Sequence, residues 1–345
     1  MSSRRAARKV NWVWFSPVIL VAALLFGTAV GETRIPLSTV FDVLSVKLGL
    51  SGAEIDVVDM SVIWNYRLAR AVVAACGGAS LALSGLILQA LLRNPLAEPY
   101  LLGISAGAST GAVCVGVAGF GAGILSMSAG AFVGGLTAFA FVALLAQAAG
   151  GSAGAKGSGV IILAGIAGSQ MFNALTALII AQSASAEQAR GIMFWLLGNL
   201  SGIRWPDTWL AVPMAALGLM VTLWHLRALD AFTFGTDSAA SIGIDVRRTQ
   251  VVLIGVATLM TALMVSMAGA IGFVGLVVPH AMRILVGSRH RHLVPATAIA
   301  GAVFLVASDV VSRIVLPGQV LPIGVVTALV GAPVFAIVMI RGRKQ

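Results

Sequence analysis

Ten stretches of about twenty mostly apolar residues recur along this chain, and no other feature limits its fold as strongly. They cover about 12–30, 62–91, 100–118, 122–148, 159–182, 207–226, 249–268, 270–286, 295–312 and 322–340. A helix of about 20 residues crosses the hydrocarbon core of a bilayer, and only a helix or a closed barrel satisfies its backbone there. The second and fourth stretches are long enough to tilt. Composition agrees: 10% of the residues are charged, against about 25% in soluble domains. The expected fold is therefore an all-α polytopic membrane protein of about ten transmembrane helices, with 1–345 forming a single transmembrane domain.

An even number of spans puts both termini on one side, and the basic residues choose it. Arg4, Arg5, Arg8 and Lys9 precede the first span, and Arg341, Arg343 and Lys344 follow the last. Arg93, Lys156, Arg227, Arg247, Arg248, Arg289 and Arg291 fall in loops on that same side. The opposite loops hold most of the acids, including Glu32, Asp42, Glu54, Asp56, Asp59, Glu187 and Asp207. This asymmetry predicts cytoplasmic termini. It also explains the net charge of +10 without nucleic acid as a partner. The first span, long for a secretory signal, is expected to be an uncleaved helix.

Three connections are more than turns. Residues 31–61, outside, include the amphipathic "IPLSTVFDVLSVKLGL". Residues 183–206, outside, include "RGIMFWLLGNLSG", too short to span and expected as a periplasmic short helix. Residues 227–248, inside, read "RALDAFTFGTDSAASIGIDVRR" and predict two short helices. Within the spans, "GGASLALSG" and "GAFVGG" allow close helix approach. A faint internal echo sets Gly85 ten positions before Pro95, as Gly269 stands before Pro279.

Catalytic signatures are missing. There is no HExxH, GxSxG or paired-cysteine motif, and Cys76 and Cys114 both lie within apolar runs. "GGSAGAKGSG" at 150–159 superficially looks like a phosphate loop, but glycine follows its lysine and no strand precedes it. "SRHRH" at 288–292 reads as a solvated basic loop rather than a metal site, and His280 as a packing or hydrogen-bonding residue. Ionisable residues within spans are few: Asp309 and Arg313, spaced to pair at i, i+4, and Arg67 and Arg70 at the outer end of the second span. No chain of carboxylates crosses the membrane, so a proton- or sodium-driven carrier working alone is the weaker reading. The energy source is expected on another chain.

"RLAR" at 67–70, "LSGLILQALLRNPLAEPYLLGISAGAS" at 83–109, "GAIGFVGLVVPHAMR" at 269–283, "SDVVSR" at 308–313 and "LPIGVVTALVGAPVF" at 321–335 together resemble the permease (transmembrane) subunits of iron–siderophore, haem and cobalamin ABC importers, the FecCD-type members of the type II importers. The resemblance runs along essentially the whole chain, in order. It implies a second permease chain, with a homodimer expected, and two ATPase subunits that carry ATP and Mg. It further implies a periplasmic or lipid-anchored substrate-binding protein, and no catalysis or cofactor on this chain. The implied cargo is an iron chelate, a ferric siderophore first, with haem and cobalamin as alternatives.

Site residues follow from the same resemblance. Arg67, Arg70 and Arg313 match arginines that dock the binding protein. Asn94 and Leu96, in the cytoplasmic turn "RNPLAEP", match an inner gate whose other half falls at the 156–158 loop; relatives can carry adjacent hydroxyl residues there, where this chain has Gly157 and Ser158. The 227–248 loop, with Gly235, Asp237, Ser238, Ala240 and Gly243 at its core, is expected to couple to the ATPase. Two-fold pairing would bring the fifth and tenth spans to the axis, with Gln170, Asn173 and Thr176 of the fifth lining the pathway.

Overall fold

A computed structural model describes residues 17–342, apart from 32, 34, 53, 121–123, 152–154 and 184. The terminal basic residues Arg4, Arg5, Arg8, Lys9, Arg343 and Lys344, and the outer Glu32, lie outside the described residues. The described chain is helical throughout. The helices are α1 (Pro17–Ala29), α2 (Leu37–Lys47), α3 (Val57–Leu91), α4 (Ile104–Gly116), α5 (Met127–Ala148), α6 (Ala155–Ser183), α7 (Ala186–Leu196), α8 (Trp205–Trp224), α9 (Leu226–Phe232), α10 (Thr236–Ser241), α11 (Val246–Ala268), α12 (Val274–Val286), α13 (His290–Ile314) and α14 (Ile323–Gly342). Each of the ten expected apolar stretches is occupied by one apolar helix. Six of these are long enough to cross a bilayer, and α1, α4, α12 and α14 carry shorter apolar stretches of 10–17 residues.

α3 is the hub, buried on nearly every side. Its glycines make that possible. A methyl on Gly78 would stand 2.1 Å from the Gly301 carbonyl oxygen, and one on Gly85 would stand 1.9 Å from that of Gly275. α13 and α12 therefore touch α3 backbone to backbone, which small residues alone permit. The α4–α5 hairpin does the same through Gly107 against Gly134 and Gly111 against Gly130. In a bilayer, lipid tails are as apolar as leucine, so such close packing supplies much of what hydrophobic burial supplies in water.

The echo between Gly85 and Gly269 is not a structural equivalence. Gly85 lies inside α3, whereas Gly269 (φ +73°) terminates α11. The residue of the second passage that meets Gly85 is Gly275. Between them, Pro279 explains a buried glutamine. Proline has no N–H, so Gly275, four residues earlier, loses its helical donor. Gln89 Nε2 supplies it, donating to Gly275 O at 3.2 Å and Leu276 O at 3.3 Å.

The short helices leave irregular backbone among the spans. Three such segments meet: the end of α7, the α11–α12 break and the start of α14. Asn199 N donates to Ala268 O at 2.7 Å, Ile323 N to Gly198 O at 2.9 Å and Gly324 N to Leu197 O at 3.1 Å. Phe273 enters α12 with φ +68°, uncommon for a non-glycine residue. Non-helical backbone is tolerated at membrane depth when protein groups satisfy it, as they do here.

Connections follow the expectations closely. α2 seats Val40 and Val43 on Ile63. α7 falls in the 183–206 segment and opens with a capping box, Gln188 N to Ser185 Oγ at 3.2 Å and Ser185 N to Gln188 Oε1 at 2.9 Å. The 227–248 loop forms the two short helices α9 and α10.

Candidate functional site

At one end of the bundle, Arg70 and Arg313 close over Asp309, and Arg67 binds the same end of α1 that Arg313 does. All four are buried: the arginines are 3%, 1% and 3% exposed and Asp309 is 0%. Arg70 grips Asp309 Oδ1 with Nε and Nη2, both at 2.7 Å, and reaches Tyr66 Oη at 3.1 Å and Ser201 Oγ at 3.2 Å. Arg313 pairs with Asp309 Oδ2 at 3.0 Å, the expected i, i+4 pair. Its guanidinium also donates to Gly27 O and Val30 O, both at 2.9 Å. Arg67 donates to Ala29 O at 3.0 Å, Thr33 O at 2.6 Å and Thr33 Oγ1 at 2.8 Å. The cluster thus ties α1, α3 and α13 together. Arginine suits this work because its fork stays charged and serves several acceptors at once.

Arg67 and Arg70 sit at the junction of a π-helical segment, Ser61–Leu68, with the α-helical part of α3. The exposed cation beside them is Arg204, which sequence reasoning passed over. Its guanidinium stacks on Tyr66, 5.3 Å from the ring centroid, and Arg70 approaches the same ring at 5.8 Å. Trp205 stacks on Trp64 at 5.1 Å and donates Nε1–H to Trp64 O at 2.9 Å, which fixes the start of α8.

The turn at 92–103 is built as a support. Arg93 adopts φ +50°. Asn94 Oδ1 accepts from Leu96 N at 2.9 Å, a local turn that leaves Leu96 47% exposed. The Arg93 guanidinium lies against Gly235, joining this turn to α10. Farther on, Tyr100 donates to Ile271 O at 2.8 Å and accepts from Ile271 N at 2.7 Å, clamping the α11–α12 break. Glu98 lies largely buried in the turn, with Oε2 unpartnered among the described residues, and burial pushes its carboxyl up to about 7. Gly157 and Ser158 depart from expectation. They do not sit in a loop but in the first turn of α6, which begins at Ala155. The helix begins there although Gly157, Ser158 and Gly159 are poor helix formers, so intrinsic propensity does not set this boundary.

On α6, Gln170 and Asn173 are exposed, but Thr176 is buried. Its hydroxyl lies 2.8 Å from that of Thr110 and donates to Phe172 O at 3.0 Å. The three residues do not share one face: six positions of a 3.6-residue helix rotate Thr176 by about 120° from Gln170. Asn173 and Thr176 line a cavity of about 530 Å³ with Tyr100, Ser105, Ser109 and Ser169. Ser109 donates to the carbonyl of Ser105 at 2.9 Å. The side chains of Ser105, Ser169 and Asn173 have no hydrogen-bond partner among the described residues. Isolated serines in an apolar sequence gave too little signal to identify this wall.

The helix pair α9–α10 is anchored through Leu229, Phe232 and Ala239, which pack on Leu83, Leu253 and Leu293. Gly235 (φ +115°) and Gly243 (φ +84°) bracket α10. Asp237, Ser238, Ala240 and Gly243 are exposed, flanked by Phe234 at 77% and Ile242 at 67%. Gly235 itself is buried. "SRHRH" is not wholly solvated either, since His290 is 1% exposed. It starts α13, with Nδ1 2.7 Å from Asp230 Oδ1.

The comparisons now bear on the whole chain. The model of the FecCD transport family matches residues 19–341. The cobalamin import system permease protein BtuC of Halobacterium salinarum is 36% identical and covers 98% of both chains. The iron(III) dicitrate transport system permease protein FecD of Escherichia coli is 34% identical over 82% of this chain and 86% of its own. A metal-chelate-type ABC transporter solved in an inward-facing conformation superposes with a TM-score of 0.82 at 28% identity, covering 96% of this chain and 99% of that one. A second solved chain, PsaBC from Streptococcus pneumoniae, shares the fold at a TM-score of 0.56 and 20% identity. A family match over almost the entire length, relatives that are permeases and a superposition over 96% of the chain agree: this chain belongs to the FecCD transport family and is an ABC importer permease.

Proposed function

We propose that two copies of this chain enclose a path for an intact metal chelate across the bacterial inner membrane, with both termini in the cytoplasm. The observation that carries the reading is the wall of Ser105, Ser169 and Asn173, side chains without hydrogen-bond partners among the described residues, which open into one cavity. Leaving an amide unpaired in hydrocarbon costs roughly 2–7 kcal/mol. This face therefore meets water, cargo or a second chain rather than lipid tails. Its groups are neutral hydroxyls and amides, which can slide along the periphery of a bulky chelate without competing for the metal. Ferric siderophore is the first reading of the cargo. A corrinoid is the second, favoured by cobalamin permeases among the relatives that match nearly the full chain.

In this proposal α9–α10 seats on the ATPase. Its exposed small residues allow close docking, and Phe234 and Ile242 supply apolar area. Asn94 and Leu96 narrow the inner mouth. Outside, the binding protein docks over the helix ends that Arg67, Arg70 and Arg313 hold together. The test is reconstitution of the permease, its ATPase and its binding protein in vesicles. ATP-dependent uptake of a radiolabelled ferric siderophore or of cobalamin is expected, and the preferred cargo identifies itself. Uptake of neither would sink the reading.

A further inference from the structure

α13 is held at each end by a carboxylate, and only the Asp309 end has a role in the proposal above. At the other end, Asp230 of α9 accepts from the backbone N of His290 at 3.0 Å, and its Oδ1 stands 2.7 Å from His290 Nδ1. One carboxylate therefore caps the helix N-terminus and fixes the ring. A carboxylate there also opposes the positive end of the helix dipole. The two partners differ in environment: the Asp230 side chain is 45% exposed and that of His290 is 2% exposed. His290 Nε2 is buried with no partner among the described residues, so the ring's place is set from the Asp230 side. Asp230 lies on the helix that also carries buried Leu229 and Phe232, so α9 cannot shift without dragging this carboxylate.

From His290 to Asp309, α13 rises about 28 Å at 1.5 Å per residue. At its far end Asp309 is gripped by Arg70 of α3. Between the ends, Gly301 packs backbone to backbone on Gly78. We propose that the Asp230–His290 pair is the joint through which α9 moves α13, so that an event at the cytoplasmic helix pair reaches the arginine cluster along one continuous helix, which carries Pro295 in its second turn. Both residues act as positioning residues and neither meets the cargo. The inference rests on the importer reading and adds the element that carries the motion.

The test uses the complete reconstituted transporter and measures cargo delivered per ATP hydrolysed. His290→Ala removes the ring, whereas His290→Asn keeps an N–H donor close to where Nδ1 stands. His290→Ala is expected to lower the transport-to-hydrolysis ratio about tenfold while the ATPase subunits still co-purify. His290→Asn should recover most of that loss. Asp230→Ala combined with His290→Ala should be no worse than either alone, because both break one joint. An unchanged ratio in His290→Ala, or losses that simply multiply in the double variant, would overturn the joint. So would a loss explained entirely by less folded permease on size exclusion. If the wild-type complex shows no ATP-driven uptake of any chelate, the importer reading itself fails and takes the joint with it.

Discussion

Replacing Gln89 by leucine should expose a debt created by Pro279. Gln89 is 4% exposed and sits on α3 opposite the proline-containing turn of α12. Its amide nitrogen serves Gly275 O, and its oxygen accepts from Arg283 Nη2 at 3.3 Å. Leucine is close in size and adds apolar surface, so the cavity term is small. What is lost is the donor to a carbonyl that the helix cannot satisfy itself. A buried polar group left unpaired costs about 1–3 kcal/mol, and a stranded Arg283 contact adds to this. Pro279→Ala restores the missing helical N–H and should abolish the debt. Thermal half-inactivation, read by size exclusion of detergent-solubilised protein, should therefore fall by several degrees in Gln89→Leu. It should fall much less when Pro279→Ala is already present. The interaction between the two sites should be about 1 kcal/mol or more, since they share one carbonyl. Additive effects, or a Gln89→Leu protein as stable as its parent, would refute the argument that the glutamine is there for the proline.

Three other outcomes follow from the same geometry. Asp309→Asn leaves Arg70 and Arg313 buried without their carboxylate, and should destabilise by about 3–5 kcal/mol, seen as loss of folded protein from the membrane. Arg204→Glu, on an exposed side chain, should leave folding intact but weaken association of the binding protein at low salt, with the difference fading as salt rises; unchanged affinity at low salt would show that Arg204 lies outside the contact. Glu98 has a carboxyl raised to about 7, so the folded protein binds its proton more tightly than the unfolded chain does. Its contribution to stability is full below about 4.5 and is lost as pH rises through about 7, so Glu98→Gln should flatten that part of the stability–pH curve.

The spans were legible because hydropathy over about twenty residues is a long, redundant signal. The short helix of the 183–206 segment and the two helices of the 227–248 loop were legible from local chemistry. Side-chain placement was not. Thr176 belongs to a turn of α6 that rotates it onto Thr110, and spacing by threes alone drifts off one face. Gly157 and Ser158 were assigned to a loop because glycines and serines surround them, yet helix continuity from α6 prevails. His290 was read as solvated because four of its neighbours are polar; its burial depends on Asp230, sixty residues away in sequence. The boundary between 249–268 and 270–286 was legible, but the positive-φ turns at Gly269 and Phe273 that make it were not, since both sides of the break are equally apolar. Asn199 and Tyr100 satisfy backbone groups of the break, and α14 braces the same place through its bonds to Leu197 and Gly198.

The arginines show how a resemblance and a structure constrain each other. Family likeness puts Arg67, Arg70 and Arg313 where the binding protein docks. The structure gives their donors to Asp309, Thr33 and the carbonyls of Gly27, Ala29 and Val30. Freeing Arg70 to meet an incoming acid would leave Asp309 with Arg313 alone and its Oδ1 unpaired, at a cost of up to about 3–5 kcal/mol. An exposed ion pair returns about 0.2–1 kcal/mol, so in this conformation the exchange is unfavourable. A surface carboxylate gains more from Arg204, whose side chain is already outside and is steadied by Tyr66. That same ring accepts Arg70, with Tyr66 Oη 3.1 Å from Arg70 Nη1. A partner that pulls on Arg204 therefore works on the ring that braces Arg70, and Arg70 holds the outer end of α13. If the binding protein docks here, as proposed, Arg204 forms the outer layer of the contact and the buried cluster an inner layer that passes the load into α13, whose other end is His290.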